Sequence, residues 1–245
     1  MIQVIHRALD LMELIASEPE RPKPLGELAD RLGLNHGTCA NILKTLVSRG
    51  YVEQQGVKKG YILGFKSYVL TGNDAYRKDL MEASQQAMDH LTRLTNENCL
   101  LAILKDDQRL IVHRTFAEQD LQVRTAEEKP AYESASGRML LAMLPTDLLE
   151  RFIQKFGLPR PEIWPEILNQ TDLYRALAQI RREEFALQTI SHRHIVGLAV
   201  PIRKKGVVVA SLSVYLPEYR YMATSKAQLV AYLQTAAETI NANLA

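Results

Sequence analysis

Along the first fifty residues the apolar positions recur at helical spacing. Ile5, Ala8, Leu9, Met12 and Ile15 line one face of a first helix. Pro19, Pro22 and Pro24 end it and form a connector. Leu25, Leu28, Ala29 and Leu32 mark a short second helix that stops at Gly33. Asn35 is placed to cap a third helix, because its side-chain oxygen can accept an orphan backbone N–H. Cys39, Ile42, Leu43 and Leu46 are that helix's buried stripe, and Arg49-Gly50 closes it. The pattern then turns to strands at 51–54 and 61–63, joined by a turn that holds Gly56, Lys58, Lys59 and Gly60. Three helices and a β-hairpin in this order predict a winged helix-turn-helix over residues 1–72.

Residues 73–96 return to helical spacing. Leu80, Ala87, Leu91 and Leu94 form a seam, with Arg77, Lys78, Asp79, Glu82, Asp89 and Arg93 off it. This reads as a linker helix whose seam packs either on a partner or on the chain's own second domain. From Cys99 the period changes again. Strands are predicted at 99–104 and 110–114 around Asp106 and Asp107, and a third at 121–125. Helices follow at 134–144 and 146–156, split by Pro145, and at 171–184. Between them lies a loop with three prolines and Trp164, a candidate lid. Strands are predicted at 186–190, 196–202 and 207–216. Ser225-Lys226-Ala227-Gln228 reads as a reciprocal capping box before the last helix. Strands and helices mixed without regular βαβ alternation give an α+β class, with a second domain at 97–245 built on one antiparallel-rich sheet.

Composition narrows the setting. No apolar run approaches the ~20 residues of a membrane span. Arg7, Asp10 and Glu13 interrupt the first apolar pattern, unlike a secretory leader. Cys39 and Cys99 sit in apolar surroundings and read as reduced thiols of a cytoplasmic protein. The net charge of +2 says little, but its distribution matters. Between Gly33 and Gly72, Lys44, Arg49, Lys58, Lys59 and Lys66 face a single acid, Glu53. A basic third helix and hairpin tip suit a phosphate-facing surface.

The outward stripe of the third helix then supplies the DNA-reading candidates. Asn41 has the amide geometry for adenine, His36 and Thr38 can donate to bases or phosphate, and Ala40 can touch a thymine methyl. Lys44, Lys58 and Lys59 suit phosphates, which position without specifying sequence. In the second domain Ala135, Ser136 and Gly137 open a helix, where free N–H groups can hold a carboxylate. Ser211, Ser213 and Tyr215 alternate with Leu212 and Val214 and share one strand face, toward a pocket or toward solvent. No phosphate loop, dinucleotide fingerprint or nucleophile elbow is present, so no catalytic residue, metal site or cofactor is predicted. The competing class is a GAF-like or metal-dependent enzyme with an accessory winged helix, with His192, His194, His113 and Cys99 as its only ligand candidates.

Several fragments, in order, resemble the IclR family of transcriptional regulators. They are Ile5 to Met12, Gly26 to Leu34, Arg49-Gly50-Tyr51-Val52, and Gly60 to Gly64. Ser134-Ala135-Ser136-Gly137-Arg138, Ala199-Val200-Pro201-Ile202 and Ala210 to Val214 continue the likeness through the second domain. The resemblance implies a winged helix-turn-helix, a linker helix and a GAF/profilin-like effector-binding domain. It further implies homodimers or tetramers on palindromic double-stranded operators, acting as repressor or activator. It implies control by a small effector: an organic, sugar or aromatic acid of a catabolic pathway. Where the family often carries an acid and a cysteine, this chain has Gln188 and Gly197, and Tyr215 replaces a small residue. The predicted effector-binding set is therefore Ala135, Ser136, Gly137, Gln188, Gly197, Ser211, Ser213 and Tyr215. Gly197 is expected to open volume in the pocket wall and Tyr215 to offer a ring for stacking.

Overall fold

The computed structural model describes residues 2–18, 21–56, 59–72 and 78–245. The chain forms two compact units, Met1–Tyr76 and Arg77–Ala245.

In the first unit, α1 (Gln3–Ala16), α2 (Leu25–Arg31) and α3 (His36–Ser48) enclose Leu11, Ile15, Leu28 and Leu43, all essentially without exposure. Ile15, Leu28 and Leu43 are predicted stripe positions, but on α1 the buried face is turned from the predicted one: Leu11 is inside, and Ile5 and Leu9 are exposed. Gly33 takes a positive φ of 60° between α2 and α3, where a side chain would be strained. Strands β1 (Val52–Gln54) and β2 (Tyr61–Leu63) form the hairpin. Lys23 pairs with Tyr61 through its backbone, and its buried ammonium donates to the carbonyls of Ile15 and Glu18. The connector is thus tied to both α1 and the wing. A short helix that the pattern did not predict, α4 (Phe65–Gly72), follows.

The second unit is a six-stranded antiparallel sheet in the order β5-β4-β3-β8-β7-β6. In chain order its strands are β3 (Asn98–Lys105), β4 (Gln108–Thr115), β5 (Glu128–Pro130), β6 (Ala186–Ile190), β7 (Ile195–Lys204) and β8 (Val207–Pro217). Two long helices, α5 (Lys78–Thr95) and α10 (Lys226–Asn243), cover one face. Their Leu80, Leu91, Leu229 and Leu233 pack with Leu101, Leu198 and Leu212 of the sheet. The other face carries α6 (Ala135–Ala142), with Leu100, Ala186, Ala199 and Tyr215 against Ala135 and Met139. Beyond it α7 (Thr146–Phe156) and α8 (Gln170–Glu183) enclose a further core around Leu141, Phe152, Trp164 and Leu173. The short helix α9 (Glu218–Ala223) leads from β8 into α10.

Of the two addresses left open for the α5 seam, it takes the chain's own second unit: Leu80, Ala87 and Leu91 are buried in that unit's core, and Leu94 is exposed. Two further expectations are corrected. Residues 121–125 are not a strand. Their segment is held by side chains instead, with the Asn98 amide donating to Val123 O and the Gln122 amide to Ala117 O. The paired strand is β5, directly after them. The capping box is half made: Ser225 Oγ accepts from Gln228 N at 3.4 Å, but the Gln228 amide donates to Tyr232 Oη.

Candidate functional site

The surface predicted to meet DNA is built by α3 and the wing. Asn35 caps α3, its side chain accepting from Gly37 N at 2.8 Å. With Cys39, Ile42, Leu43 and Leu46 inward, geometry leaves His36, Asn41 and Lys44 exposed, and Thr38 and Ala40 half-buried beside them. The Asn41 amide and the Lys44 ammonium meet no protein partner among the described residues. Asn41 also borders an apolar groove lined by Val4, Ile5 and Leu9 of α1, so it sits at the edge of the outward face rather than its centre. His36 Nε2 lies 3.6 Å from the Asp30 carboxylate. Lys59 is exposed at the wing tip. Lys58 lies outside the described residues.

The second constellation lies between α6 and the sheet. The register places Asn98, Tyr215, Gly197 and Gln188 in one row across β3, β8, β7 and β6. Register partners project to the same side, so Tyr215 and Gln188 both face α6. Ser211 and Ser213 occupy the same face further along β8, as their alternation with Leu212 and Val214 requires. Ser213 Oγ donates to Leu100 O at 3.3 Å, and Ser211 Oγ, fully buried, has no hydrogen-bond partner among the described residues.

The start of α6 differs from expectation. Ser136 N donates to Tyr215 Oη at 3.5 Å, Gly137 N to Ser134 Oγ at 3.0 Å, and Arg138 N to Ser134 O at 2.9 Å. The Ser136 hydroxyl lies 3.3 Å from Tyr215 Oη. Two of the donors predicted for an effector carboxylate, Ser136 N and Gly137 N, are taken by the chain itself. Gly137 serves packing, because a Cβ there would lie 2.1 Å from Ala131 O. Gly197 does not enlarge a cavity either. A Cβ on it would lie 2.5 Å from Tyr215 Cε1, so the tyrosine ring fills the space that the glycine leaves.

Trp164 is an anchor in the core, not an exposed lid ring. It is 6 % exposed, and the Arg138 guanidinium stacks over it at 3.9 Å. Arg138 in turn donates to Tyr132 O and Ile163 O. Ile163 and Pro165, the neighbours of Trp164, nevertheless line a cavity of about 400 Å³, together with Gln188, Lys129, His192, Arg193 and the acids Glu133 and Glu162. Gln188 alone of the predicted effector set lines it; Lys129 and Arg193, and Arg109 beside Lys129 on β4, were missed. Burial pushes the Lys129 amine below its ordinary value, against the pull of Glu133, and Arg109 and Arg193 add to the depression. Arg109 lies one residue before the strand predicted at 110–114 and two before Ile111, so extending that strand's alternation by one residue would have placed it on the inward face. His113 and Cys99 face α5 instead. Burial pushes the Cys99 thiol up to about 12. Among the described residues no group of three or more His, Cys, Asp or Glu is placed to hold a metal, and no helix is long and apolar enough to cross a membrane.

Known proteins match this architecture along the whole chain. Residues 4–56 match the IclR helix-turn-helix domain, and residues 74–242 match the bacterial transcriptional regulator IclR C-terminal domain. The chain is 28% identical over 230 residues to the HTH-type transcriptional regulator KdgR of Escherichia coli, covering 92% of this chain and 87% of that one. It is 27% identical over 236 residues to the regulator TtgV of Pseudomonas putida, covering 96% and 89%. Among solved structures, an IclR homolog from Microbacterium hydrocarbonoxydans complexed with 4-hydroxybenzoate superposes with a TM-score of 0.77 at 25% identity, over 98% of each chain. The Thermotoga maritima IclR gives 0.74 at 19% identity over 100% and 99% of the two chains, which establishes the shared fold. The chain belongs to the IclR family of bacterial transcriptional regulators.

Proposed function

We propose that this protein binds a specific, palindromic double-stranded operator as a homodimer or tetramer, and that a small organic, sugar or aromatic acid in the second unit controls that binding. The observation that carries the reading is the pairing of two surfaces in one chain. One is an α3 face whose outward polar groups, Asn41 and Lys44, are unmatched among the described residues. The other is a sheet-and-helix unit with a cavity lined by Gln188, Lys129, Arg193 and Glu133. A lone winged helix contacts few phosphates, so specific affinity at physiological salt calls for two of them on one duplex. The Microbacterium homolog's complex with an aromatic acid supports an acid as the class of effector.

The proposed division of labour on DNA follows the geometry. Lys44 and Lys59 neutralise phosphates and set affinity and salt dependence. Asn41, His36, Thr38 and Ala40 meet base edges from the exposed first turns of α3. The effector works only through different affinities for the DNA-competent and incompetent states. The test is selection of bound duplexes from a random library with the full-length protein, with sedimentation of the complex. Enrichment of an inverted repeat bound by an even number of protomers is expected. A selected pool with no shared motif would overturn the reading.

A further inference from the structure

The base of the wing is fixed by chain continuity, since β1 leaves α3 through the Arg49-Gly50 turn. Closer to the tip the hold comes from elsewhere. The connector between α1 and α2 runs along the free side of β2, where Lys23 N donates to Tyr61 O at 3.0 Å and Tyr61 N donates to Lys23 O at 2.9 Å. Gly60, at a φ of 101°, lets the two backbones meet: a Cβ there would lie 2.9 Å from Lys23 C and from Lys23 O. This junction lies two residues from Lys59, the exposed cation of the wing tip.

The Lys23 side chain fastens that connector to the helices. It is 0 % exposed, an unusual place for an ammonium. Its Nζ donates to Ile15 O at 3.2 Å and to Glu18 O at 3.3 Å, with Glu18 Oε1 3.9 Å away. Ile15 belongs to the last turn of α1, whose carbonyls lack partners further along the helix and carry the negative end of its dipole. An apolar side chain could fill the same space, but it would tie nothing to those carbonyls. The neighbouring ion pairs of Arg21 with Glu18 and Glu27 are largely exposed and contribute little by comparison. The Lys23 ammonium is too deep to touch a duplex, so any effect it has on DNA runs through the wing.

We propose that Lys23 is a positioning residue for DNA binding: its ammonium clamps the connector to α1, and the connector holds the wing so that Lys59 meets a phosphate while α3 reads bases. The proposal rests on the reading of α3 and the wing as the DNA-facing surface. A wing already held in place makes its contact without being ordered at each encounter, whereas a wing free to swing loses conformational freedom on binding. Phosphate contacts carry no sequence information. Loss of the clamp therefore lowers affinity for every duplex and leaves base preference, which belongs to α3, as it was.

The test is a cycle on the full-length protein: parent, Lys59→Ala, Lys23→Met and the double variant. Each is titrated over a salt series against the duplex enriched by selection and a scrambled duplex. Lys59→Ala should reduce the slope of log Kd on log salt by about 1 per protomer. Lys23→Met, which fills the space without a donor, should reduce it by the same amount and weaken both duplexes by the same factor. On that background Lys59→Ala should add almost nothing. Hydrogen–deuterium exchange should quicken over β2 in Lys23→Met and stay unchanged over α3, which also shows that the helices remain folded. If Lys23→Met unfolds the unit, Gly60→Ala takes its place, because its Cβ presses on the Lys23 backbone from the wing side. A full Lys59→Ala effect in the Lys23→Met or Gly60→Ala background, or unchanged exchange over β2, overturns the positioning role and leaves the DNA reading intact. A loss of base preference in Lys23→Met does the same, by assigning Lys23 to the integrity of α3. A parent that binds no duplex, or in which Lys59→Ala has no effect, overturns the DNA reading of the wing and the role of Lys23 together.

Discussion

Replacing Gly197 by alanine adds a single methyl group at the most crowded point of the sheet. The new Cβ would stand 2.5 Å from Tyr215 Cε1 and 3.0 Å from Cδ1 and Cζ. The ring cannot swing away freely, because Tyr215 is 4 % exposed and its hydroxyl meets Ser136. Overpacking of a filled core costs about 1–3 kcal/mol. For a unit of this size that corresponds to a fall of about 3–10 °C in its melting temperature. Trp164 lies in the second unit, so urea unfolding followed by its fluorescence reports that unit specifically. The cycle is completed by Tyr215→Ala and the double variant. Tyr215→Ala alone should destabilise by about 3 kcal/mol through the lost ring. On that background Gly197→Ala should cost close to nothing, giving a coupling of about 1–3 kcal/mol. A neutral Gly197→Ala, or a full penalty that persists without the ring, would show that Tyr215 does not occupy the space over Gly197.

Further outcomes test other parts of the account. Lys59→Ala should weaken operator and random duplex alike and reduce the salt slope by about 1 per protomer, whereas Asn41→Ala should relax one base position at a cost of about 1–3 kcal/mol; anisotropy titrations over salt and sequence distinguish them. Arg220 donates to both carboxylate oxygens of Glu97, whose side chain is 4 % exposed, so Arg220→Ala should destabilise by about 3 kcal/mol, with partial recovery in Arg220→Ala/Glu97→Gln measured by urea unfolding. Burial holds the His113 imidazole below its ordinary value, against the opposing pull of Asp89. As pH falls through about 6.5 the unfolded chain therefore binds the proton first and stability declines, so His113→Gln should flatten that acid limb in urea midpoints taken across pH.

What was legible in the sequence was local. Asn35 before Cys39 and Ile42 announces α3, because capping and a 3.6-residue stripe are properties of neighbouring residues. The same holds for the strand face shared by Ser211, Ser213 and Tyr215. That Lys129 and Gln188 line one cavity was not legible, because they lie on the two edge strands of a sheet whose order, β5-β4-β3-β8-β7-β6, is not a local property. The role of Gly197 was misread for the same reason. A missing side chain suggests space, but the register sets Tyr215 beside it on the neighbouring strand, and the ring takes that space. At the α6 start, Ser134 and Ser136 showed that donors and hydroxyls were present. Only the fold shows that Tyr215 Oη already satisfies one of them. The seam of α5 had two possible addresses by periodicity alone, and the outer face of the sheet chose the one inside the chain.

The central claim is specific recognition of DNA under the control of the second unit, and its first half is the more directly measurable. Full-length protein is titrated at physiological salt against the duplex enriched by selection and against a scrambled duplex of the same length and composition. Affinity for the enriched duplex should exceed that for the scrambled one by about a thousandfold or more, and log Kd should rise linearly with log salt for both. Equal affinities for the two duplexes, with whatever salt slope, would contradict the account.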